Sequence, residues 1–241
     1  MIKGTSSDKI RTIIEKIPIR KRNKVREITL DMAPNMEKVA KYSFPKAVLV
    51  TDRFHVQKLA YEAVQEMRIE YRRQAIEQEN NEIELSKETK HKFIPEILEN
   101  GDTLKQLLAR SRYLLFKSKE TWTTSQAFRA ELLFARYPKL EEAYNLSMQL
   151  GAIFTRSKIK EVAFTKLASW YDKVEKAGFK SFNTVARSIE AHYITILNYF
   201  NNRSSNASAE SFNAKIKSFR SAFRGVRNVS FFLYRLKNIY A

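Results

Sequence analysis

The stretch VREITLDMAPNMEKVAKYSFPKAVLVTDRFH, residues 25–55, decides the fold class of this chain. Its first part, residues 25–31, alternates in polarity and is rich in β-formers, which predicts a strand. Pro34 is a residue type that often occupies the first position of a helix, and a helical pattern follows it. The continuous apolar run at 47–51 is typical of a buried parallel strand. Strand, helix and strand in this order predict one βαβ unit.

The chain on either side of this unit is predicted to be almost entirely helical, because apolar residues recur at three- and four-residue spacing. Residues 8–17 form one such segment, and the basic run 19–24 after it is predicted to be a solvated loop. Further helical segments cover 57–90, 103–117, 123–135, 139–154, 158–177 and 181–200, with breaks at Pro95, Gly101, Pro138, Gly151 and Gly178.

The region after the long helical stretch begins with a polar loop, residues 201–208. A basic amphipathic helix is predicted at 209–219, and an apolar face after Gly225 is predicted to join the core. We therefore expect an α/β fold interrupted by a large all-α insertion. The predicted divisions are 1–56, 57–200 and 201–241.

Composition limits the function classes. The chain has 241 residues, with 44 Lys and Arg against 26 Asp and Glu, a net charge of +18. Such a charge favours a polyanionic partner such as nucleic acid, because each cation that meets a phosphate releases counterions. The absence of cysteine excludes disulfides, thiolate zinc sites and cysteine nucleophiles. No stretch has the length of about 20 apolar residues that a membrane span needs, and a cytoplasmic location is expected.

Four residues could carry chemistry. Asp31 and Asp52 end the two predicted strands, at the edge of an α/β sheet where ligands bind. Carboxylates there can hold Mg²⁺ or Mn²⁺, although Asp is also a common cap of the following turn. His55 follows Asp52 by three residues and could orient an acidic cluster or serve only structure. Glu210 begins a basic helix, where it could complete a metal site or only complement the helix dipole.

Three blocks of sequence together resemble the DDE transposases of the ISL-three type of insertion sequence. They are residues 25–59, residues 100–117 and NYFNNRSSNASAESFNAKIKSFRSAFRGV at 198–226. The resemblance implies a partial RNase H-like fold with one βαβ unit retained, related to retroviral integrases. It also implies that Asp31 and Glu210 are catalytic metal ligands, and that Asp52 and His55 line the site. Whether Asp31 or Asp52 is the second metal ligand stays open at this point.

The resemblance implies two-metal cleavage and transfer of DNA strands at insertion-sequence ends, with Mg²⁺ or Mn²⁺ as cofactor and a homo-oligomer as the active form. The first aspartate of the family has no match in this chain, so we expect a truncated or split chain whose N-terminal part is encoded separately. The alternative is a catalytically inactive remnant that only binds DNA or dimerises. Expected DNA contacts are Arg53, Lys215, Lys217 and Arg220.

Overall fold

A computed structural model describes residues 6–225 and 227–240, and it divides the chain into two compact units. The first, called here the sheet unit, comprises Met1–Arg53 and Ile194–Ala241. The second, called the helical unit, comprises Phe54–Tyr193. The predicted divisions included residues 1–5, 226 and 241, which lie outside the described residues.

The sheet unit contains the predicted βαβ motif. Strand β1 (Glu27–Leu30) is followed by helix α3 (Pro34–Ser43) and strand β2 (Val48–Thr51). The strands are parallel and in register from the Glu27–Val48 pair to the Leu30–Thr51 pair. Pro34 is the first residue of α3, as predicted. The apolar run of β2 is buried from Leu49 onward, with Val50 only 1% exposed, whereas Val48 at its start is 45% exposed.

Two short helices precede the first strand. Helix α1 (Ser7–Ile14) ends earlier than predicted, and none of its residues is buried. The basic run at 19–24 was predicted to be a loop, and this is wrong, because Ile19–Arg22 forms the short helix α2 after Pro18. Arg22 fixes this turn by donating side-chain hydrogen bonds to the carbonyl oxygens of Ile17 and Ser43.

Helix α10 (Tyr193–Asn202) belongs with the sheet from Ile194 onward, whereas the sequence prediction placed residues up to 200 in the helical insertion. The reason is a row of polar side chains at helical spacing that bonds to the strands. The bonds are the Thr195–Thr51 hydroxyl pair at 2.7 Å, Asn198 Nδ2 to the Leu49 carbonyl oxygen at 2.9 Å, and Asn202 Nδ2 to Glu27 Oε2 at 2.8 Å.

The last two helices form an exposed hairpin. Helix α11 (Ala207–Ala222) has Phe219 as its buried residue, and helix α12 (Val229–Tyr240) follows. The Phe219 ring contacts Phe232 at a centroid distance of 5.4 Å. The predicted apolar face of α12 is only partly core, because Leu236 is 2% exposed while Phe231 is 48% exposed.

The helical unit contains six α-helices in its described residues: α4 (Arg53–Glu88, beginning one residue before the unit), α5 (Leu104–Arg110), α6 (Thr124–Arg136), α7 (Pro138–Arg156), α8 (Lys160–Ala177) and α9 (Lys180–Ala191). The predicted segment 103–117 splits into α5 and a 3-10 turn at Leu114–Phe116. Gly151 lies inside α7 instead of ending it. A Cβ at Gly151 would lie 2.9 Å from Gln57 Oε1, so glycine leaves room for the Gln57 side chain, which donates to the Ser147 carbonyl oxygen.

A buried carboxylate organises the turn before α5. Asp102 is 0% exposed, and it forms ion pairs with Arg110 and with Arg129 Nε, the latter at 3.1 Å. Asn100 Nδ2 also donates to Asp102 Oδ2 at 2.9 Å. A buried charge needs such partners, because desolvation otherwise opposes ionisation. Sequence analysis gave Asp102 no role.

Candidate metal centre at the strand ends

The two aspartates predicted to end the strands follow neighbouring positions of the sheet. The backbone N–H of Asp52 donates to the Leu30 carbonyl oxygen at 2.8 Å, and Leu30 pairs with Thr51 in the parallel register. Asp31 and Asp52 therefore lie at the same edge of the sheet, as predicted from the βαβ order. This is the edge at which open α/β sheets bind ligands.

Asp52 is held in place by the chain that returns to the sheet after α10. Its side chain is buried, and its Oδ2 accepts a 2.9 Å hydrogen bond from the backbone N–H of Asn206. Asn206 is the residue before the first turn of α11. The positive end of a helix dipole favours a negative charge at this place, so the start of α11 and the Asp52 carboxylate stabilise each other.

Three side chains offer ligand atoms to one point. One atom each from Asp52, His55 and Glu210 lies within 4.8 Å of the others. Asp52 follows β2, His55 lies in the first turn of α4 directly after it, and Glu210 lies in the first turn of α11. The spacing of three residues between Asp52 and His55 thus corresponds to a strand end followed by one helical turn. Chain connectivity places His55 beside Asp52.

The sheet unit around Asp52 and Glu210 is strongly basic. The sheet unit holds 21 Lys and Arg against 7 Asp and Glu, and the helical unit holds 23 against 19. Despite this excess, Glu210 makes no hydrogen bond or ion pair through its carboxylate within the described part of the chain. Two carboxylates this close repel each other unless a cation or a proton lies between them.

His55 adds a further indication of an ion-binding site. Its Nδ1 atom is buried and has no hydrogen-bond partner within the residues described. A buried polar atom without a partner is costly, and it commonly marks a site that binds an ion or water. Imidazole nitrogen and two carboxylates form a donor set that suits a divalent transition ion such as Mn²⁺. The three residues therefore fit a metal.

Asp31 is not brought into this group. Its side chain is exposed, and its Oδ1 accepts a 3.1 Å hydrogen bond from the backbone N–H of Ala33. This contact is a local Asx turn in the loop before α3. Asp31 lies one strand away from Asp52, with its carboxylate committed in part to the turn.

The predicted DNA-binding cations are all exposed. Lys215, Lys217 and Arg220 lie on α11, and Arg53 begins α4. Two residues near the site were missed by sequence analysis, Asn206 and Arg203. The polar composition of the loop that contains them predicted only a turn, and nothing in it indicated a contact with Asp52.

The described helices include none that combines the length and the apolar character needed to cross a membrane.

Comparison with known proteins agrees with the resemblance seen in the sequence. The model of a family described as Transposase, the ISL-three group of DDE transposases, matches residues 1–236. The transposase for insertion sequence element IS1001 of Bordetella parapertussis is 23% identical over 238 residues, which is 97% of this chain and 52% of that protein. The chain thus spans about half the length of this curated relative. No solved structure matches. Because the family model covers nearly all of the sequence, the chain belongs to the ISL-three family of transposases.

Proposed function

We propose that Asp52, His55 and Glu210 hold a divalent cation, and that this centre takes part in the cleavage and transfer of DNA strands at insertion-sequence ends. The observation that carries the proposal is the approach of one ligand atom from each of the three residues to within 4.8 Å. Membership of a transposase family supplies the DNA substrate class.

Ligand chemistry narrows the identity of the cation. Carboxylate oxygens are hard ligands that suit Mg²⁺ and Mn²⁺, whereas imidazole nitrogen is better suited to a transition ion. The imidazole of His55 therefore supports tighter binding of Mn²⁺ than of Mg²⁺ at this centre. When bound, such an ion polarises a phosphoryl oxygen and makes bound water or hydroxyl a better nucleophile.

The distances support Asp52 as the partner of Glu210, since Asp31 lies outside the group. We keep Asp31, at the neighbouring strand end, as the candidate ligand of a second ion, because phosphoryl transfer of this kind uses two ions about 3.5–4 Å apart. The family resemblance implies one more aspartate, for which no residue of this chain is a match. Our proposal therefore includes a further polypeptide segment that supplies this carboxylate.

The DNA strand would be held by the cations of the sheet unit. Helix α11 begins at the proposed metal centre and carries Lys215, Lys217 and Arg220 on its exposed surface. A helix that positions a metal ligand in its first turn and cations farther along can bind the phosphates that flank the reacting one. Helix α11 is thus proposed both to position a metal ligand and to bind DNA phosphates.

The first test is Mn²⁺ binding, measured by loss of the electron paramagnetic resonance signal of free aqueous Mn²⁺. The proposal expects binding by the unchanged chain and loss of binding in Asp52→Asn and Glu210→Gln. Glu15→Gln is the control, because Glu15 is a carboxylate of the same unit that is paired with Arg11. Nicking of supercoiled plasmid in Mn²⁺ is measured alongside. DNA binding without any Mn²⁺ binding would favour the inactive remnant.

A further inference from the structure

Two arginines approach the same tyrosine ring in the sheet unit. The Cζ atom of Arg53 lies 6.0 Å from the ring centroid of Tyr199, and that of Arg203 lies 5.6 Å from it. Tyr199 is 3% exposed, whereas both arginines are exposed. The ring is therefore a buried part of the sheet unit, and two solvent-exposed arginines lie against it.

Both arginines are connected to Asp52 through short stretches of chain. Arg53 is the next residue after Asp52, in the first turn of α4. Arg203 begins the short loop that ends at Asn206, whose N–H binds the Asp52 carboxylate at 2.9 Å. The Asn206–Asp52 bond thus brings the two chain segments that carry the arginines together. Any group bound between the arginines and Asp52 would lie next to the proposed metal ligands.

The backbone at Arg203 is unusual in a way that serves this placement. Its φ is 56°, in the left-handed region that non-glycine residues seldom adopt. Its N–H donates to the Tyr199 carbonyl oxygen at 2.7 Å, which closes the last turn of α10. Glycine is the usual residue for such a helix end. An arginine at this position keeps a cation where the backbone alone would favour glycine, which indicates a use for the side chain.

The chemistry of the pair identifies the ligand class. Guanidinium groups bind phosphate through two parallel N–H donors, and stacking on an aromatic ring limits their motion beforehand. Arg53 makes no ion pair with a carboxylate within the described part of the chain. A second arginine so close raises the positive potential further. An anionic ligand with oxygen acceptors is the natural complement of this arrangement.

We propose that Arg53 and Arg203, supported by the Tyr199 ring, bind a phosphodiester of DNA next to the phosphate that meets the Asp52–His55–Glu210 centre. This inference rests on the proposed function, because it takes DNA as the ligand. The competing explanation is that the arginines only pack on Tyr199 and stabilise the end of α10.

The test compares Arg53→Ala, Arg203→Ala and the double variant in binding to a fluorescein-labelled DNA duplex over a series of KCl concentrations. Each lost phosphate contact reduces the slope of log affinity against log salt by about 0.9. The double variant is therefore expected to lose up to about 1.8 of this slope. Arg203→Lys keeps one charge but not the paired donors, so its affinity should fall while its slope stays near that of the unchanged chain.

A matched control is present in the same unit. Arg11 lies 4.5 Å from the ring centroid of Tyr42 and is paired with Glu15, so Arg11→Ala removes an arginine on a tyrosine away from the proposed centre. The inference is overturned if the double variant binds DNA with the same affinity and salt slope as Arg11→Ala. A fall in thermal stability with an unchanged slope would identify packing on Tyr199 as the only role.

Mn²⁺ binding separates this inference from the proposed function. The double variant should bind Mn²⁺ as the unchanged chain does, but DNA should no longer tighten that binding, because the coupled phosphate is not held near the ion. Retained coupling in the double variant would contradict the phosphate site. Absence of Mn²⁺ binding in the unchanged chain would instead contradict the proposed function, and the salt slopes would still decide whether the arginines bind DNA.

Discussion

The backbone N–H of Asn206 donates a 2.9 Å hydrogen bond to Oδ2 of Asp52, a residue 154 positions earlier in the chain. This bond ties the end of β2 to the start of α11. Because Glu210 lies in the first turn of α11, the bond also sets the distance between the Glu210 and Asp52 carboxylates. The proposed metal centre thus depends on a main-chain contact that contributes no ligand of its own.

Replacing Asn206 by proline removes this donor and no ligand. The φ of Asn206, −78°, is compatible with the proline ring, and its side chain makes no capping hydrogen bond. We expect Asn206→Pro to weaken Mn²⁺ binding about tenfold, the lower end of the effect of losing an outer-shell partner. Asn206→Ala keeps the N–H and should bind Mn²⁺ normally. Equal Mn²⁺ affinities for the two variants would argue against this role of the bond.

The identity of the second metal ligand can be decided by comparing two aspartates. Asp52→Asn should weaken Mn²⁺ binding by more than about tenfold, since even an outer-shell partner has an effect of roughly this size. Asp31→Asn should have a smaller effect on the first ion bound, because Asp31 lies outside the group of three. Calorimetric titration with Mn²⁺ measures the affinity of each variant. The reverse order of effects would restore Asp31 as the partner of Glu210.

His55 should determine which ion the centre prefers. Its imidazole offers a nitrogen ligand, which Mn²⁺ accepts more readily than Mg²⁺ does. We expect His55→Ala to lower the affinity for Mn²⁺ more than the affinity for Mg²⁺, measured by competition between the ions. A variant that loses affinity for both ions equally would indicate that His55 only positions the carboxylates.

The cations of α11 should contribute to DNA affinity without regard to sequence. Lys215→Ala and Lys217→Ala are each expected to reduce the salt slope of duplex binding by about 0.9 if the lysine meets one phosphate. Lys173→Ala is the control, because Lys173 is an exposed lysine of the helical unit that donates to Gln149. Fluorescence anisotropy across KCl concentrations gives the slopes. Equal slopes for all three variants would exclude α11 as a phosphate-binding helix.

The buried carboxylate of Asp102 should dominate the stability of the helical unit. Asp102→Asn removes a charge that pairs with Arg110 and Arg129. We expect a loss of roughly 3 kcal/mol, the lower end of the range for breaking a buried pair, because the Arg110 side chain is 57% exposed. Both tryptophans lie in the helical unit, so urea unfolding followed by tryptophan fluorescence reports on it. The exposed Asp172→Asn should change stability little.

The sequence predicts the elements of this fold better than their association. The run at 47–51 and Pro34 carry local signals, and the structure has a strand and a helix start where they predict them. Helix α10 was assigned to the insertion because its helical pattern continues that of α9. Its polar residues Thr195, Asn198 and Asn202 were a usable signal, since their shared face bonds to the strands.

The candidate site was only partly accessible from local patterns. The βαβ order places Asp31 and Asp52 at one edge of the sheet, and the register agrees. Nothing local relates Asp52 to Glu210, because their approach depends on the return of the chain to the sheet after the helical unit. Family resemblance suggested Glu210 as a metal ligand. The contact of Asn206 with Asp52 is a main-chain bond, to which residue type gives no guide.

The division of the sheet unit into two stretches of chain affects how the protein is made. A ribosome completes the helical unit, which ends at Tyr193, before α10 has fully emerged. Strand β2 therefore forms its bonds with Thr195 and Asn198 only after the helical unit has been synthesised. At about 5–20 residues per second, the chain between Asp52 and Asn206 takes on the order of 10 s to synthesise. During this interval α10 does not yet cover the nascent β2, and an uncovered strand edge is a template for aggregation.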